Sequence, residues 1–199
     1  METVKEVFLI ASGPSMNGFD YSRLDGKMVV TCNHAFRLVP DFIASFFYDL
    51  LFFRELPDDQ KDFVRANAVR FYAPPFAANN LKIKGLHSMI LSVNWRHNPK
   101  AVCNVNDSGA IALSWVLRTF PDAKVRLFGF DQTADSSGAI HATDDVFDHR
   151  YKALTPKLEK EFKTRAGRFG IFAQDADRIV NHSPTSAIPF FRKSERDDF

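Results

Sequence analysis

The sequence predicts an α/β fold in which a largely parallel sheet carries helices on both of its faces. The length of 199 residues suits a single domain, 1–199, with a substantial core. Apolar runs of strand length recur along the chain, and several are apolar at consecutive positions, as in central strands covered on both faces. Helical patterns alternate with these runs, and such alternation is typical of parallel sheets.

The runs that predict strands fall at 7–11, 28–31, 43–48, 69–72, 89–93 and 125–130, with a further one in "RIVNHSP" near the C-terminus. Asp107 and Ser108 can cap "GAIALSWVLRTF" as a buried helix. The segment "TPKLEKEFKTRAG" has Pro near its start, mixed charges and Gly after its end, which predicts an exposed amphipathic helix. We expect "FYAPPFAANN" (71–80) to be an irregular loop and "FRKSERDDF" to be a solvated terminus.

Composition, charge and cysteine content bear on the partners and the cellular compartment of the protein. The formal net charge of +2 neither demands nor excludes nucleic acid, and the 21 Phe predict a Phe-rich core and Phe-rich pocket walls. Cys32 and Cys103 lie far apart, so we expect buried thiols in a reducing compartment, with a disulfide as the alternative. No run approaches the ~20 apolar residues of a membrane span, and "METVKEVFLI" lacks the features of a signal peptide. We therefore expect a cytoplasmic protein.

Polar residues follow the predicted strands at the point where each strand ends. Because carboxyl ends of parallel strands share one edge of a sheet, these residues predict a lined ligand cleft near the switch in strand order. The alternative is that Asn, Asp and Ser simply start turns, which is at least as good an account of any single position. Taken together they favour the cleft: Ser12 to Ser15, Asn33, Asp49, Asp131, and Asn181 to Ser183.

The first of these turns, Ser12-Gly13-Pro14-Ser15, suits an anionic or sugar-bearing ligand. Gly13 lets a phosphate or ribose approach the backbone, and Pro14 can open a helix. Ser15 supplies a hydroxyl and an amide near that helix N-terminus. The turn is neither a Walker A loop nor G-x-G-x-x-G.

A long segment, 132–149, follows the strand that ends at Asp131, and we expect it to be an active-site loop or lid. His149 is its natural general base near neutral pH. The alternative is a surface loop whose acids cap the next helix, with Asp148 as the cap. Its His and Asp residues could also ligate a metal, but H-x-x-x-H and H-E-x-x-H spacings are missing, so we expect no metal site. These residues are His141, Asp144, Asp145, Asp148 and His149.

The sequence resembles the bacterial sialyltransferases of glycosyltransferase family 42. The matching segments are "IASGPSMNGFDYSRL" with "VVTCNHAF", then "SFFYDLLFFRE", "NDSGAIALSWVLRTFPDAKVRLFGFDQ", "DHRYKAL" and "NHSPTSAIPFF", in the family's order over nearly the whole chain. The resemblance extends to a broader set of Gly-Pro-Ser proteins, many carried by phages, which includes an archaeal-type hydroxymethylpterin pyrophosphokinase. It implies a modified Rossmann-like domain of the GT-A type that uses a nucleotide-activated sugar without metal.

The resemblance also implies roles for individual residues. Ser12 stands where the family prefers Asn, and Val105 where it has Arg. Thr133 follows Asp131 where the family has Tyr to steady the leaving phosphate, so His141 is the candidate for that role. His149 would deprotonate the acceptor hydroxyl, with Asp148 or Asp145 orienting it. The implied nucleotide contacts are Gly13, Pro14, Ser15, Asn33, Asp49, Ser108, Gly109 and Asp131, and the strand-tip pattern adds Ser12, Asn181 and Ser183.

These features favour a glycosyltransferase-like enzyme that needs no cofactor. Its partners would be a nucleotide-activated sugar and an acceptor glycan or other hydroxyl-bearing acceptor, with a modified DNA base and a homo-oligomer left open. One alternative is pyrophosphoryl transfer from ATP to a hydroxymethyl heterocycle, in which the Asp-rich stretch 144–148 would bind Mg²⁺. The other is a non-catalytic protein of phage or defence type that sequesters a nucleotide. The basic stretch "WRHNPK" (95–100) is a surface loop first and an acceptor contact second.

Overall fold

The computed structural model describes residues 4–134, 136 and 156–199. The strands are β1 (Glu6–Ile10), β2 (Val29–Cys32), β3 (Ala44–Phe46), β4 (Phe71–Ala73), β5 (His87–Ser88), β6 (Ile90–Ser92), β7 (Ala101–Cys103), β8 (Lys124–Phe128), β9 (Ile179–Asn181) and β10 (Arg192–Lys193). The α-helices are α1 (Leu50–Glu55), α2 (Asp58–Ala66), α3 (Pro75–Leu81), α4 (Ser108–Thr119) and α5 (Pro156–Arg168). Short 3₁₀ segments cover Pro14–Met16, Tyr21–Leu24, Asn33–Arg37, Ala68–Arg70, Trp95–His97 and Phe169–Arg178.

The main sheet has eight strands in the order β10-β9-β8-β1-β2-β3-β4-β5, and each of these neighbouring pairs is parallel. The strands β6 and β7 form a separate parallel pair. From β1 the chain adds strands outward to β5 and then returns, through β8, to the other side of β1. The order therefore reverses between β1 and β8, where open α/β sheets bind their ligands.

Both faces of the sheet are buried, because successive side chains of a strand point to opposite faces. In β1, Val7 and Leu9 join one hydrophobic cluster, which includes α4 and β7, whereas Phe8 and Ile10 join a second, which includes α1, α2 and α3. The second cluster is built mainly from phenylalanine rings. The predicted α/β fold with helices on both faces of a parallel sheet is thus confirmed, as is the Phe-rich core.

The expectation of an irregular loop at 71–80 is wrong. Phe71–Ala73 is the strand β4, and α3 begins at Pro75. Proline is tolerated at the first helical position because the N–H that it lacks would have no partner there. The helix ends at Leu81, and the next residue, Lys82, caps it with a φ of 52° in the left-handed region. The Pro-Pro pair that suggested a loop therefore starts a helix.

The expectation of a solvated terminus is wrong in part, because most of 192–198 is exposed but both ends of the segment are held by the fold. Arg192–Lys193 pairs with β9 as the edge strand β10. Phe199 packs with its ring centroid 4.8 Å from that of Phe128 and 5.5 Å from that of Phe8. These ring contacts hold the partly buried Phe199 against the sheet.

The cysteines are both buried free thiols, as expected. Cys32 and Cys103 lie in the same hydrophobic cluster, and burial raises the pKa of the Cys103 thiol to about 12. Within the described ranges, no helix combines the length and apolar character that a membrane span requires.

Candidate functional site

A cavity of about 550 Å³ opens at the carboxyl ends of the central strands. It lies over the tips of β1, β2, β3 and β8 and beside the N-terminus of α4. Its volume falls within the range of small-molecule sites. The predicted site residues on its wall are Ser12, Gly13, Asn33, Asp49, Ser108, Gly109 and Asp131.

Gly13 and Asp131 meet at the point where the strand order reverses. The Gly13 amide donates to the Gly129 carbonyl oxygen at 3.0 Å, which ties the tip of β1 to the tip of β8. A Cβ atom at position 13 would lie 1.9 Å from Asp131 Oδ2 and 2.4 Å from the Gly129 oxygen. Only glycine fits at position 13, because any side chain there would push the two strand tips apart.

The Asp131 carboxylate is buried on the cavity wall. Its Oδ2 accepts a hydrogen bond from Ser15 Oγ at 2.8 Å. Its Oδ1 has no hydrogen-bond partner within the described part of the chain. Burial raises the pKa of Asp131 to about 6, against the lowering effect of the Ser15 hydrogen bonds. Oδ1 is itself buried, so the carboxyl group forms part of the wall and has almost no accessible surface.

Asn181 and Ser183 lie behind the cavity wall. Ser183 Oγ accepts from the Phe130 amide at 3.2 Å and lies 3.0 Å from Ser15 Oγ. Asn181 Oδ1 accepts from the Ser183 amide at 3.1 Å. These two buried side chains hold the segment that presents Asp131, and Pro14 and Ser15 likewise lie outside the wall. Direct nucleotide contact by these four residues stays a prediction.

Asn33 is held at the tip of β2 by the first residue of α4. Ser108 Oγ donates to Asn33 Oδ1 at 2.9 Å and accepts from the Tyr48 amide at 2.9 Å. Asn33 has a φ of 50°, which places it in the left-handed region that non-glycine residues seldom occupy. Since Oδ1 is committed to Ser108, the amide Nδ2 is the group that remains to donate to a ligand.

Asp107 caps α4, as its position before the helix predicts. Its Oδ1 accepts from the Ala110 amide at 2.9 Å, and burial raises the pKa of its carboxyl. Gly109 follows in the first turn, where a Cβ would lie 2.7 Å from the Phe130 ring. The close packing of Gly109 on Phe130 brings the N-terminus of α4 against the strand tip that carries Asp131.

Asp49 also acts as a helix cap. It is exposed on the rim of the cavity, and its Oδ1 accepts from the Leu51 amide at 2.8 Å at the start of α1. The cap explains why an acid follows β3 whether or not a ligand binds.

Four further residues line the cavity and carry no signal in the sequence that predicts a site. Tyr48 and Phe76 form an edge-to-face pair with ring centroids 5.5 Å apart, and Phe162 and Arg165 reach the wall from α5. Phe76 lies in the segment expected to be a loop, and Arg165 lies on a helix expected to be an exposed surface element. Local patterns gave no sign that these helices pack over the strand tips.

Of the long segment 132–149, the structure places Gln132 and Thr133 on the cavity wall. Gln132 has a φ of 49°, a second left-handed residue at this edge. The predicted catalytic residues His141, Asp148 and His149, with Asp144 and Asp145, lie outside the described residues. Across 4–134, 136 and 156–199, no group of three or more His, Cys, Asp or Glu side chains could hold a metal ion.

Together the fold and the cavity define a parallel α/β protein with a candidate ligand site at the switch in strand order. No protein-family model matches the sequence, and no curated protein matches it. The chain is similar to the solved structure of the sialyltransferase CstII from Campylobacter jejuni in complex with the substrate analogue CMP-3FNeuAc. The two share 17% identity with a TM-score of 0.51, covering 95% of this chain and 86% of that one.

The structure of sialyltransferase CST-II with a trisaccharide acceptor and CMP is similar as well. It shares 17% identity with a TM-score of 0.51, covering 94% of this chain and 85% of that one. These likenesses confirm the sialyltransferase-like fold that the sequence resemblance predicted.

Proposed function

We propose that the chain is a glycosyltransferase-like enzyme that transfers a sugar from a nucleotide-activated donor to an acceptor hydroxyl. The observation that carries the proposal is the cavity between the tips of β1 and β8, with Gly13 and Asp131 on its wall. The structures with a similar fold hold CMP-3FNeuAc in one case and CMP with a trisaccharide acceptor in the other. A cavity of about 550 Å³ has room for a ligand of nucleotide size.

The polar end of the cavity suits the nucleotide. Gly13 lies on the wall at the junction of the two strand tips, and Asn33 Nδ2 can donate to a phosphate or ribose oxygen. Asp131 lies on the same wall, where the family resemblance implies a contact with the base or the ribose. The aromatic pair formed by Tyr48 and Phe76 offers flat apolar faces to a ring of the ligand.

In the transfer step, the bond between the sugar and the donor phosphate breaks, and its electron pair leaves with the nucleotide. The acceptor oxygen forms the new bond to the sugar carbon. The acceptor proton passes to His149 as general base, oriented by Asp148 or Asp145, and His141 steadies the leaving phosphate. The reaction in this proposal uses no metal ion.

The experiment that tests the proposal is a thermal-shift screen with CMP, UDP, GDP, ADP and their sugars. A ligand that binds only the native protein raises the melting temperature by mass action. We expect at least one nucleotide to do so. In Asn33→Gly the affinity for that nucleotide should fall about tenfold, which is the loss of a hydrogen bond worth roughly 1.4 kcal/mol.

Glycine adopts the φ of Asn33 without strain, so this variant removes the amide and leaves the backbone in place. The matched control is Asn94→Ala, an exposed asparagine away from the cavity wall, which should bind like the wild type. If no nucleotide or nucleotide sugar raises the melting temperature of the wild type, the proposed function is wrong.

A further inference from the structure

The charges on the cavity wall are mostly negative. Among the described lining residues, one is a Lys or Arg, namely Arg165. Four are acids: Asp49, Glu55, Asp107 and Asp131. Like charges at close range repel, and the repulsion is stronger in a partly buried cavity than in water. A ligand with a phosphate group therefore needs Arg165 more than any other charged side chain described on this wall.

Arg165 lies one turn before the end of α5, on the side of the helix that faces the cavity. Burial raises the pKa of Asp107, the cap of α4, and the guanidinium groups of Arg165 and Arg168 are both close enough to lower it. Asp107 Oδ2 also accepts from Gln132 Nε2 at 3.4 Å. The positive charge thus lies where α5, the start of α4 and the segment after β8 converge.

The ion pair that Arg165 forms with Glu161 within its own helix is weak. Arg165 Nη2 lies 3.5 Å from Glu161 Oε2, and the two side chains are 41% and 44% exposed. Exposed pairs of this kind contribute less than about 1 kcal/mol. A phosphate can displace the Glu161 carboxylate, because a guanidinium binds a phosphate through two parallel hydrogen bonds.

We propose that Arg165 binds the phosphate of the nucleotide ligand and thereby selects nucleotides over nucleosides. The inference rests on the proposed function and adds to it a specificity residue, supplied by α5 and not by the strand tips. Within the described cavity wall, the strand tips contribute acids and amides, and the helix contributes the cation. Glu161 competes with the ligand for the guanidinium.

The test compares a nucleotide with its nucleoside in the wild type, Arg165→Gln and Arg165→Lys. Calorimetry with CMP and cytidine, and with UDP and uridine, measures the affinities. We expect Arg165→Gln to lose tenfold or more in affinity for the nucleotide while the affinity for the nucleoside changes less than twofold. Arg165→Lys should fall between the two, since it keeps the charge and loses the paired hydrogen bonds. Glu161→Gln should raise nucleotide affinity, because it frees the guanidinium.

Lys163→Gln is the matched control, since Lys163 is an exposed cation on α5 that pairs with Glu159 at 3.0 Å and lies outside the cavity lining. It should bind CMP and UDP like the wild type. Equal nucleotide affinity in the wild type and Arg165→Gln overturns the inference, and a parallel loss of nucleoside affinity does so too.

Inorganic pyrophosphate separates this inference from the proposed function. If the wild type binds pyrophosphate and Arg165→Gln does not, the anion site stands even when no nucleoside or nucleotide sugar binds. If the wild type binds neither pyrophosphate nor any nucleotide, the inference and the proposed function are both wrong.

Discussion

At the residue scale, the carboxyl group of Asp131 is buried, and burial destabilises its ionised form. Its pKa in the folded protein, about 6, lies above the ordinary value of 3.8, because burial disfavours the ionised form. The contribution of Asp131 to the free energy of unfolding is therefore fully present below about pH 3.8, where the carboxyl is protonated in both the folded and the unfolded chain. That contribution is lost as the pH rises through about 6, and the loss amounts to about 3 kcal/mol.

We predict that Asp131→Asn is more stable than the wild type at pH 8 and loses this advantage at pH 4. The amide has the shape of the carboxylate and carries no charge, while its oxygen can still accept from Ser15. The measurement is the free energy of unfolding by urea at both pH values. Glu195→Gln, at an exposed position away from the cavity, controls for general charge effects. Equal stability of Asp131→Asn and wild type at pH 8 would show that Asp131 is not desolvated.

Much of the candidate site could be predicted because strand tips follow from the sequence. Gly13, Asn33, Ser108 and Asp131 each lie next to a predicted strand or helix start, and parallel pairing brings them to one edge. Arg165 could not be predicted in this way. Its contribution depends on how α5 packs over the sheet, and the mixed charges of α5 indicate only that the helix is largely exposed.

At the element scale, long and consistently apolar segments were predictable, whereas short edge elements were not. The core strands β1, β2, β3 and β8 have apolar runs that fix their type. The edge strands β5 and β10 are exposed and have two residues each, so their sequences carry no strand pattern. They form because a neighbouring strand offers hydrogen-bond partners, and that depends on the tertiary fold.

The C-terminal segment 194–199 acts as a support for the first turn. Arg196 Nη1 donates to the Asn17 oxygen at 2.6 Å and to the Ser15 oxygen at 3.3 Å. Ser15 in turn donates to Asp131. The segment thus reaches the cavity wall through the backbone of the turn that begins at Gly13.

We predict that Arg196→Ala lowers nucleotide affinity about three- to tenfold and lowers stability by about 1 kcal/mol, although Arg196 lies outside the cavity lining. The loss of two backbone contacts frees the turn, and a mobile Ser15 holds Asp131 less well. Calorimetry with the nucleotide identified by the screen measures the affinity. Arg192→Ala, an exposed arginine of β10, is the control and should bind normally. An unchanged affinity in Arg196→Ala, together with reduced stability, would limit the segment to a structural role.

At the scale of the whole molecule, the chemical groups that each element brings to the cavity favour sugar transfer over pyrophosphoryl transfer. The sheet edge supplies amides and carboxylates, α5 supplies a cation, and the segment after β8 carries His141 and His149. A site that neutralises phosphate with a guanidinium can stabilise a departing nucleotide through that charge. Pyrophosphoryl transfer from ATP would instead require a divalent ion to neutralise the triphosphate.

We therefore predict that turnover of the nucleotide-sugar donor continues in EDTA and depends on His149. With the donor found by the screen, release of free nucleotide in the presence of an acceptor should proceed at the same rate with and without EDTA. His149→Ala should lower kcat by about 10²- to 10⁴-fold, the usual contribution of a general base, while donor affinity stays within about twofold. In the proposed function Arg165 and the strand tips bind the donor, so removal of the base leaves the binding groups intact. Wild-type turnover in His149→Ala would exclude His149 as the base, and loss of turnover in EDTA would contradict metal-independent transfer.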